Sequence, residues 1–166
     1  MLKSMSIYFL LLVFLACNGN KTEPAAPNVP IEKDLLTDST YDEKMVLQFG
    51  ADSFGMKQYV MAFLKKGPNR NQDSSTVEAL QKGHMENINK MAASGKLVLA
   101  GPFMDDGDMR GVFIFNVSSL EEARRLTEKD PAVVAGRLTM ELHPWYGSAA
   151  LIPVNAIHKK LARKPI

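Results

Sequence analysis

Cysteine is almost missing from this chain: 166 residues contain one, Cys17. A lone thiol excludes an intrachain disulfide and the zinc sites that need several thiolates. An excess of charge of one sign is missing too, since 20 Lys and Arg face 18 Asp and Glu for a formal +2. That balance gives no electrostatic case for nucleic acid as a partner. Histidine is scarce, and His84, His143 and His158 lack metal-ligand spacing, so no metal is expected. Asp105, Asp106 and Asp108 around Gly107 do not follow the frame of an EF-hand loop and read as a solvated turn. The KKGPNR stretch ending at Arg70 lacks the Gly-x4-Gly-Lys frame of a phosphate loop. No apolar run is long enough to cross a bilayer, because the run Ile7 to Ala16 has ten residues.

That short run is informative by position. Lys3 precedes it, the small Ala16 ends it, and Cys17 follows at once. A positive start, a short apolar stretch and a small residue before the cut are the parts of a secretory signal. A cysteine directly after the cut is where a diacylglyceryl group attaches to sulfur in bacterial lipoproteins. Phe14 stands where such signals usually carry Leu. Residues 1–16 are therefore expected to be a signal peptide and Cys17 the lipidation site. The chain would then be membrane-anchored in a bacterial cell envelope, facing the periplasm or the surface, with its one thiol consumed. Residues 17–39, with Pro24, Pro27 and Pro30, read as a flexible tether.

Thr40 with Glu43 reads as a capping box, and Tyr41, Met45 and Phe49 recur every four residues. Residues 40–55 are expected to hold a short helix, closed by Gly50, that docks on the main domain. From 56 to 151 the pattern alternates. Tyr59–Leu64 reads as a strand, Thr76–Ser94 as a helix ended by Gly95, and Lys96–Phe103 and Arg110–Val117 as a hairpin. A helix starts at Ser118 or Ser119, and Arg137–His143 alternates strictly as a last strand. The order β-α-β-β-α-β is the ferredoxin-like unit, an α+β fold. Apolar Met61, Phe63, Phe113 and Phe115 suggest that both sheet faces are partly buried, as in a homodimer whose two sheets close on each other. The basic tail, 152–166, reads as a solvated terminus.

The sharpest chemical signal lies on the long helix. Val77, Leu80, Ile88 and Met91 form its apolar stripe, and His84 fills the one gap. An imidazole aimed among hydrocarbons needs a hydrogen-bond partner or a wet pocket. Periodicity alone favours a satisfied core histidine. Asp130 before Pro131 reads as the N-cap of a one-turn helix that ends at Gly136, and that alone explains it. His143 and Glu141 share the polar face of the last strand and are candidates either for a ligand-pocket wall or for a dimer contact.

Three stretches, GHMENINKMAASGKLVLAGPF, VSSLEEARRLTEKDP and VVAGRLTMELHPW, resemble the YciI-like (YCII-related) domain family over about Tyr59 to Trp145. The matching elements are His84, then Gly95, Leu97, Ala100, Gly101 and Pro102, then Asp130 and Pro131. The resemblance implies a dimeric α/β barrel of ferredoxin-like units, with His84 and Asp130 meeting in a pocket as a catalytic pair. Ala132 stands where many relatives carry an aromatic residue, so a shared substrate shape is not implied. An aromatic-catabolism dehydrochlorinase is among the family's activities. The expected chemistry is general acid/base work on an unidentified small-molecule ligand, by proton transfer, isomerisation or elimination, with no cofactor. The other reading is a non-catalytic ligand-binding or envelope structural lipoprotein.

Overall fold

The computed structural model describes residues 40–164, so the expected signal peptide, the lipidation site Cys17 and the tether lie outside the described residues. Its central strand, β1 (Met56–Lys66), alternates by side: Val60, Ala62 and Leu64 are buried on one face, while Met61 and Phe63 are half-buried on the other. The other strands are β2 (Leu97–Pro102), β3 (Met109–Phe115) and β4 (Leu138–Ser148). They pair antiparallel in the order β2-β3-β1-β4, the strand order of a ferredoxin-like sheet. Between β1 and β2 runs α2 (Ser74–Ala93); between β3 and β4 run α3 (Leu120–Thr127) and the single turn α4 (Pro131–Val134). The fold is α+β and ferredoxin-like, as the strand and helix pattern predicts.

The helices cover one sheet face. Val60, Ala62, Leu64, Leu97, Phe113 and Phe115 pack there against Met91, Ile88 and Ala123. Alternation on β4 places Leu138, Met140 and Leu142 against this core and leaves Thr139, Glu141 and His143 exposed on the reverse face. The reverse face has its own smaller cluster, Tyr59, Val98 and Ile114, with Trp145, Leu151 and Ile152 packed on it. Part of the burial expected from a second subunit is thus supplied by the chain's own C-terminal segment.

Several boundaries differ from the sequence expectation for identifiable reasons. The first helix, α1 (Glu43–Phe49), is capped by Asp42, whose carboxylate accepts from the Lys44 and Met45 N–H groups, rather than by Thr40. Gly50 ends it in the left-handed region, as expected. Of its expected docking face, Tyr41 and Met45 are 72% and 48% exposed and Phe49 is half-buried. α2 begins at Ser74, two residues before the expected start, because Asp73 caps it, its carboxylate accepting from Thr76 N–H at 2.8 Å. The last strand continues through Pro144 to Ser148, beyond the expected end at His143. Proline is tolerated there because β4 lies at the sheet edge, where one side of the backbone has no strand to bond. The basic tail is not a frayed terminus. It forms α5 (Val154–Leu161), and Asn155 Nδ2 donates to the Leu97 carbonyl at 2.7 Å, tying it to β2. Among the described residues no helix is long and apolar enough to cross a membrane.

Candidate active site

The apolar stripe of α2 lies on the core, and His84 sits in it at 8% exposure. Asp130, fully buried, meets it from the start of α4. His84 Nδ1 lies 2.7 Å from Asp130 Oδ2. A carboxylate only accepts, so Nδ1 carries the proton in the neutral ring and Nε2 is left as the acceptor. Asp130 Oδ1 accepts from the Ala132 N–H at 2.9 Å, which is the N-cap bond of α4. Asp130 therefore caps α4 with one oxygen and meets the imidazole with the other. Asn87 Nδ2 also donates to Oδ2, at 3.2 Å.

This meeting depends on two residues that sequence reasoning missed. Asn87 lies one turn beyond His84 on the same helix face, an i,i+3 spacing that could have flagged it. Gly83 sets the approach of the helices, because a Cβ there would lie 2.9 Å from Pro131 Cγ. Without a side chain at Gly83, α4 comes close enough to α2 to bring Asp130 to the imidazole. Burial works to raise the Asp130 carboxyl's pKa, but the His84 bond and charge, the Asn87 amide and the Ala132 N–H outweigh it and hold it below the usual carboxylate value.

His84 Nε2 has no hydrogen-bond partner among the described residues, yet it is not a sealed, unsatisfied atom. It borders a cavity of about 480 Å³ between α2 and the helix-side face of the sheet. Phe113 forms part of the floor and stacks on the His84 ring, with centroids 5.9 Å apart and planes at 17°. Leu64, Ile88 and Leu138 add apolar wall. No Ser, Thr or Cys lines the cavity, so no hydroxyl or thiol nucleophile stands beside the imidazole. A second cavity, of about 530 Å³ beside α5, has no histidine or carboxylate in its wall and offers no comparable chemistry.

His143 and Glu141 do not join this site. His143 Nε2 lies 2.8 Å from Glu141 Oε1 on the reverse face of the sheet, where Lys65 also pairs with Glu141. The alternation of β4 puts the whole sheet between them and His84, so neither walls the cavity. They face the side on which His143 makes an edge contact with the Phe63 ring, at 5.7 Å between centroids. Asp105 is engaged in its own turn, accepting from the Gly107 N–H at 3.1 Å. Among the described residues no group of three or more His, Asp or Glu is placed to hold a metal ion.

Comparison with known proteins follows the same stretch of chain. The YCII-related domain profile matches residues 59–145, from the middle of β1 to the end of the alternating part of β4. The uncharacterized protein YjpA of Bacillus subtilis (strain 168) is 32% identical over 63 residues, 38% of this chain and 72% of YjpA. One solved structure is that of a 5-chloro-2-hydroxyhydroquinone dehydrochlorinase, TftG, from Burkholderia phenoliruptrix AC1100 in complex with 2,5-dihydroxybenzoquinone. It is 22% identical with a TM-score of 0.40, covering 52% of this chain and 92% of that one, too distant to carry its chemistry across. The profile match spans more than half of the sequence and all four strands of the sheet in part: the chain belongs to the YCII-related domain family.

Proposed function

We propose that this protein is a small-molecule acid/base enzyme in which His84 moves the proton and Asp130 orients it. The carrying observation is the 2.7 Å bond from His84 Nδ1 to buried Asp130, with Nε2 left unpartnered at a cavity. A purely structural histidine in a core ordinarily has both nitrogens satisfied. Here one is fixed by a carboxylate and the other is left for a ligand. Nε2 takes a proton from an acidic C–H or O–H of the bound molecule, and the imidazolium so formed is stabilised by the Asp130 carboxylate. Returning that proton to another atom completes an isomerisation. Expulsion of a leaving group with the electron pair completes an elimination. A covalent intermediate has no candidate nucleophile in the cavity wall.

Replacing His84 by Gln is expected to lower turnover about 10²–10⁴-fold, the usual worth of a positioned acid/base group. Unfolding free energy should change little, since Gln still reaches the Asp130 carboxylate. Undiminished turnover in the variant would refute the assignment. A protein that binds ligands tightly and turns none over would be the non-catalytic binding module instead.

Two further parts of the reading rest on sequence and surface. Anchoring through a lipid on Cys17 is supported by the Lys3-to-Ala16 pattern, and Cys17→Ser should move the protein from the membrane fraction to the soluble one. Pairing of two copies through the reverse sheet face is supported by half-buried Met61, Phe63 and Val112 there. Sedimentation of the purified full chain as a monomer would remove that part.

A further inference from the structure

The charges in the cavity wall are all of one kind. Arg70, Arg110 and Arg137 line it, and no Asp, Glu or Lys does. The chain has 20 Lys and Arg in total, of which six are arginines, so half of its arginines meet at this one cavity and none of its lysines do. Their hydrogen-bond partners are neutral. Arg70 Nη1 donates to the Arg137 carbonyl at 3.0 Å, and Arg137 Nη1 to Gln72 Oε1 at 3.1 Å. Arg110 Nη1 reaches the Asp105 and Gly107 carbonyls only at 3.4 Å. None of the three forms a salt bridge with a carboxylate among the described residues, whereas Arg125, Lys65, Lys66, Lys82 and Lys96 each do. Asp105, Asp106 and Asp108 stand in the turn before Arg110, but none pairs with it, and Asp130 is behind the imidazole and occupied by His84, Asn87 and Ala132.

Like charges gathered without a counter-ion repel and are partly desolvated, so their grouping lowers stability unless something negative occupies the space between them. Guanidinium groups are planar forks that match a planar, two-oxygen acceptor, a geometry that a lysine ammonium does not offer. Apart from His84 and the neutral amides Gln81 and Asn89, the side chains of the remaining wall are apolar or aromatic, with Phe113, Leu64, Ile88 and Leu138 among them. We infer that the molecule on which His84 acts is a small organic acid, held by its carboxylate through Arg70, Arg110 and Arg137, with its carbon skeleton against Phe113. The inference rests on the acid/base reading of His84 for its chemistry but not for its binding step. Guanidinium groups near the reacting centre also favour the enolate or carbanion that proton abstraction creates.

Benzoate is a suitable probe, since it joins a carboxylate to a ring sized for the Phe113 wall. In calorimetric titration of the full chain, benzoate is expected to bind and benzamide, its neutral counterpart, to bind at least about 10-fold more weakly. Raising the salt concentration should weaken benzoate and leave benzamide unchanged. Arg137→Gln and, separately, the more exposed Arg70→Gln should each raise the benzoate Kd by about 10-fold or more. If Arg137→Gln does not fold, Arg70→Gln decides alone. His84→Gln should leave the benzoate Kd within about threefold, because the imidazole is not the anion's anchor. Equal affinity for benzoate and benzamide, or indifference to both arginine variants, overturns the inference. Binding of inorganic phosphate in preference to benzoate overturns the carboxylate assignment as well. Arginine-dependent benzoate binding with no turnover of any acid would leave this inference standing and sink the catalytic reading. Turnover of a neutral substrate untouched by Arg70→Gln would do the reverse.

Discussion

Asp130→Ala lowers the free energy of unfolding by about 2–4 kcal/mol, a large fraction of the stability of a domain this size. The substitution removes the N-cap of α4, ordinarily worth about 1 kcal/mol. It also strands the His84 Nδ1–H and the Asn87 amide, and a buried donor left without a partner costs about 1–3 kcal/mol. Asp130→Asn separates these effects, since Asn caps a helix well but presents an amide to two facing donors. The pH dependence has a definite sign. A carboxyl whose pKa is lower in the folded state than its ordinary 3.8 stabilises the fold above that value, and the contribution is lost as pH falls through the folded pKa below it. Urea unfolding of the wild type should therefore show stability declining below about pH 4, and the Asp130→Asn variant a flatter acid limb. Identical acid limbs, or an Asp130→Ala protein as stable as the wild type, would contradict the geometry.

Gly67→Ala is expected to cost about 3 kcal/mol or more, at the upper end of overpacking penalties. A Cβ at Gly67 would lie 2.2 Å from the Gly136 carbonyl oxygen and 2.7 Å from the Arg137 carbonyl carbon. Both are backbone atoms, so no rotamer change relieves the clash. The close approach is what knits the loop after β1 to the segment leading into β4. Gly67 N–H donates to the Arg137 carbonyl at 2.9 Å and Asn69 N–H to the Gly136 carbonyl at 3.0 Å. Asn69 Nδ2 adds a bond to the Ala135 carbonyl at 3.0 Å. Arg70 and Arg137 stand on these two strands of chain, so loosening the seam shifts the cavity wall as well as the stability. Thermal unfolding of Gly67→Ala tests it: a melting temperature unchanged from wild type would mean the seam is looser than described.

How far the sequence discloses this molecule depends on whether a feature is periodic. The stripe Val77, Leu80, His84, Ile88 and Met91 announces which way His84 points, and β4's alternation separates Leu138, Met140 and Leu142 from Glu141 and His143. The same alternation shows why His143 and Glu141 leave the site, once the helix-side face is known to hold the cavity. Local chemistry identifies Asp130 as a cap, the family resemblance alone sets it beside His84, and the tertiary approach of α4 to α2 puts one oxygen on each task. Gly83, Gly67, Arg70 and Arg137 are silent in the sequence, because each meets a residue more than 40 positions away, whereas the spacing of Asn87 from His84 is a signal that periodicity alone does not single out. The tail 152–166 reads as basic and solvated because its four positive residues mask the contacts of Ile152 and Asn155 with the sheet.

The direct test of the central claim is the tautomer of His84. Nitrogen-15 NMR of the full chain, labelled at histidine, distinguishes a protonated ring nitrogen from a bare one. The account predicts that the neutral ring of the wild type carries its proton on Nδ1 and leaves Nε2 bare, with the pattern changed in Asp130→Asn, where the accepting carboxylate is gone. A ring protonated at Nε2, or one indifferent to Asp130→Asn, would contradict it and make His84 a core residue beside an ordinary helix cap.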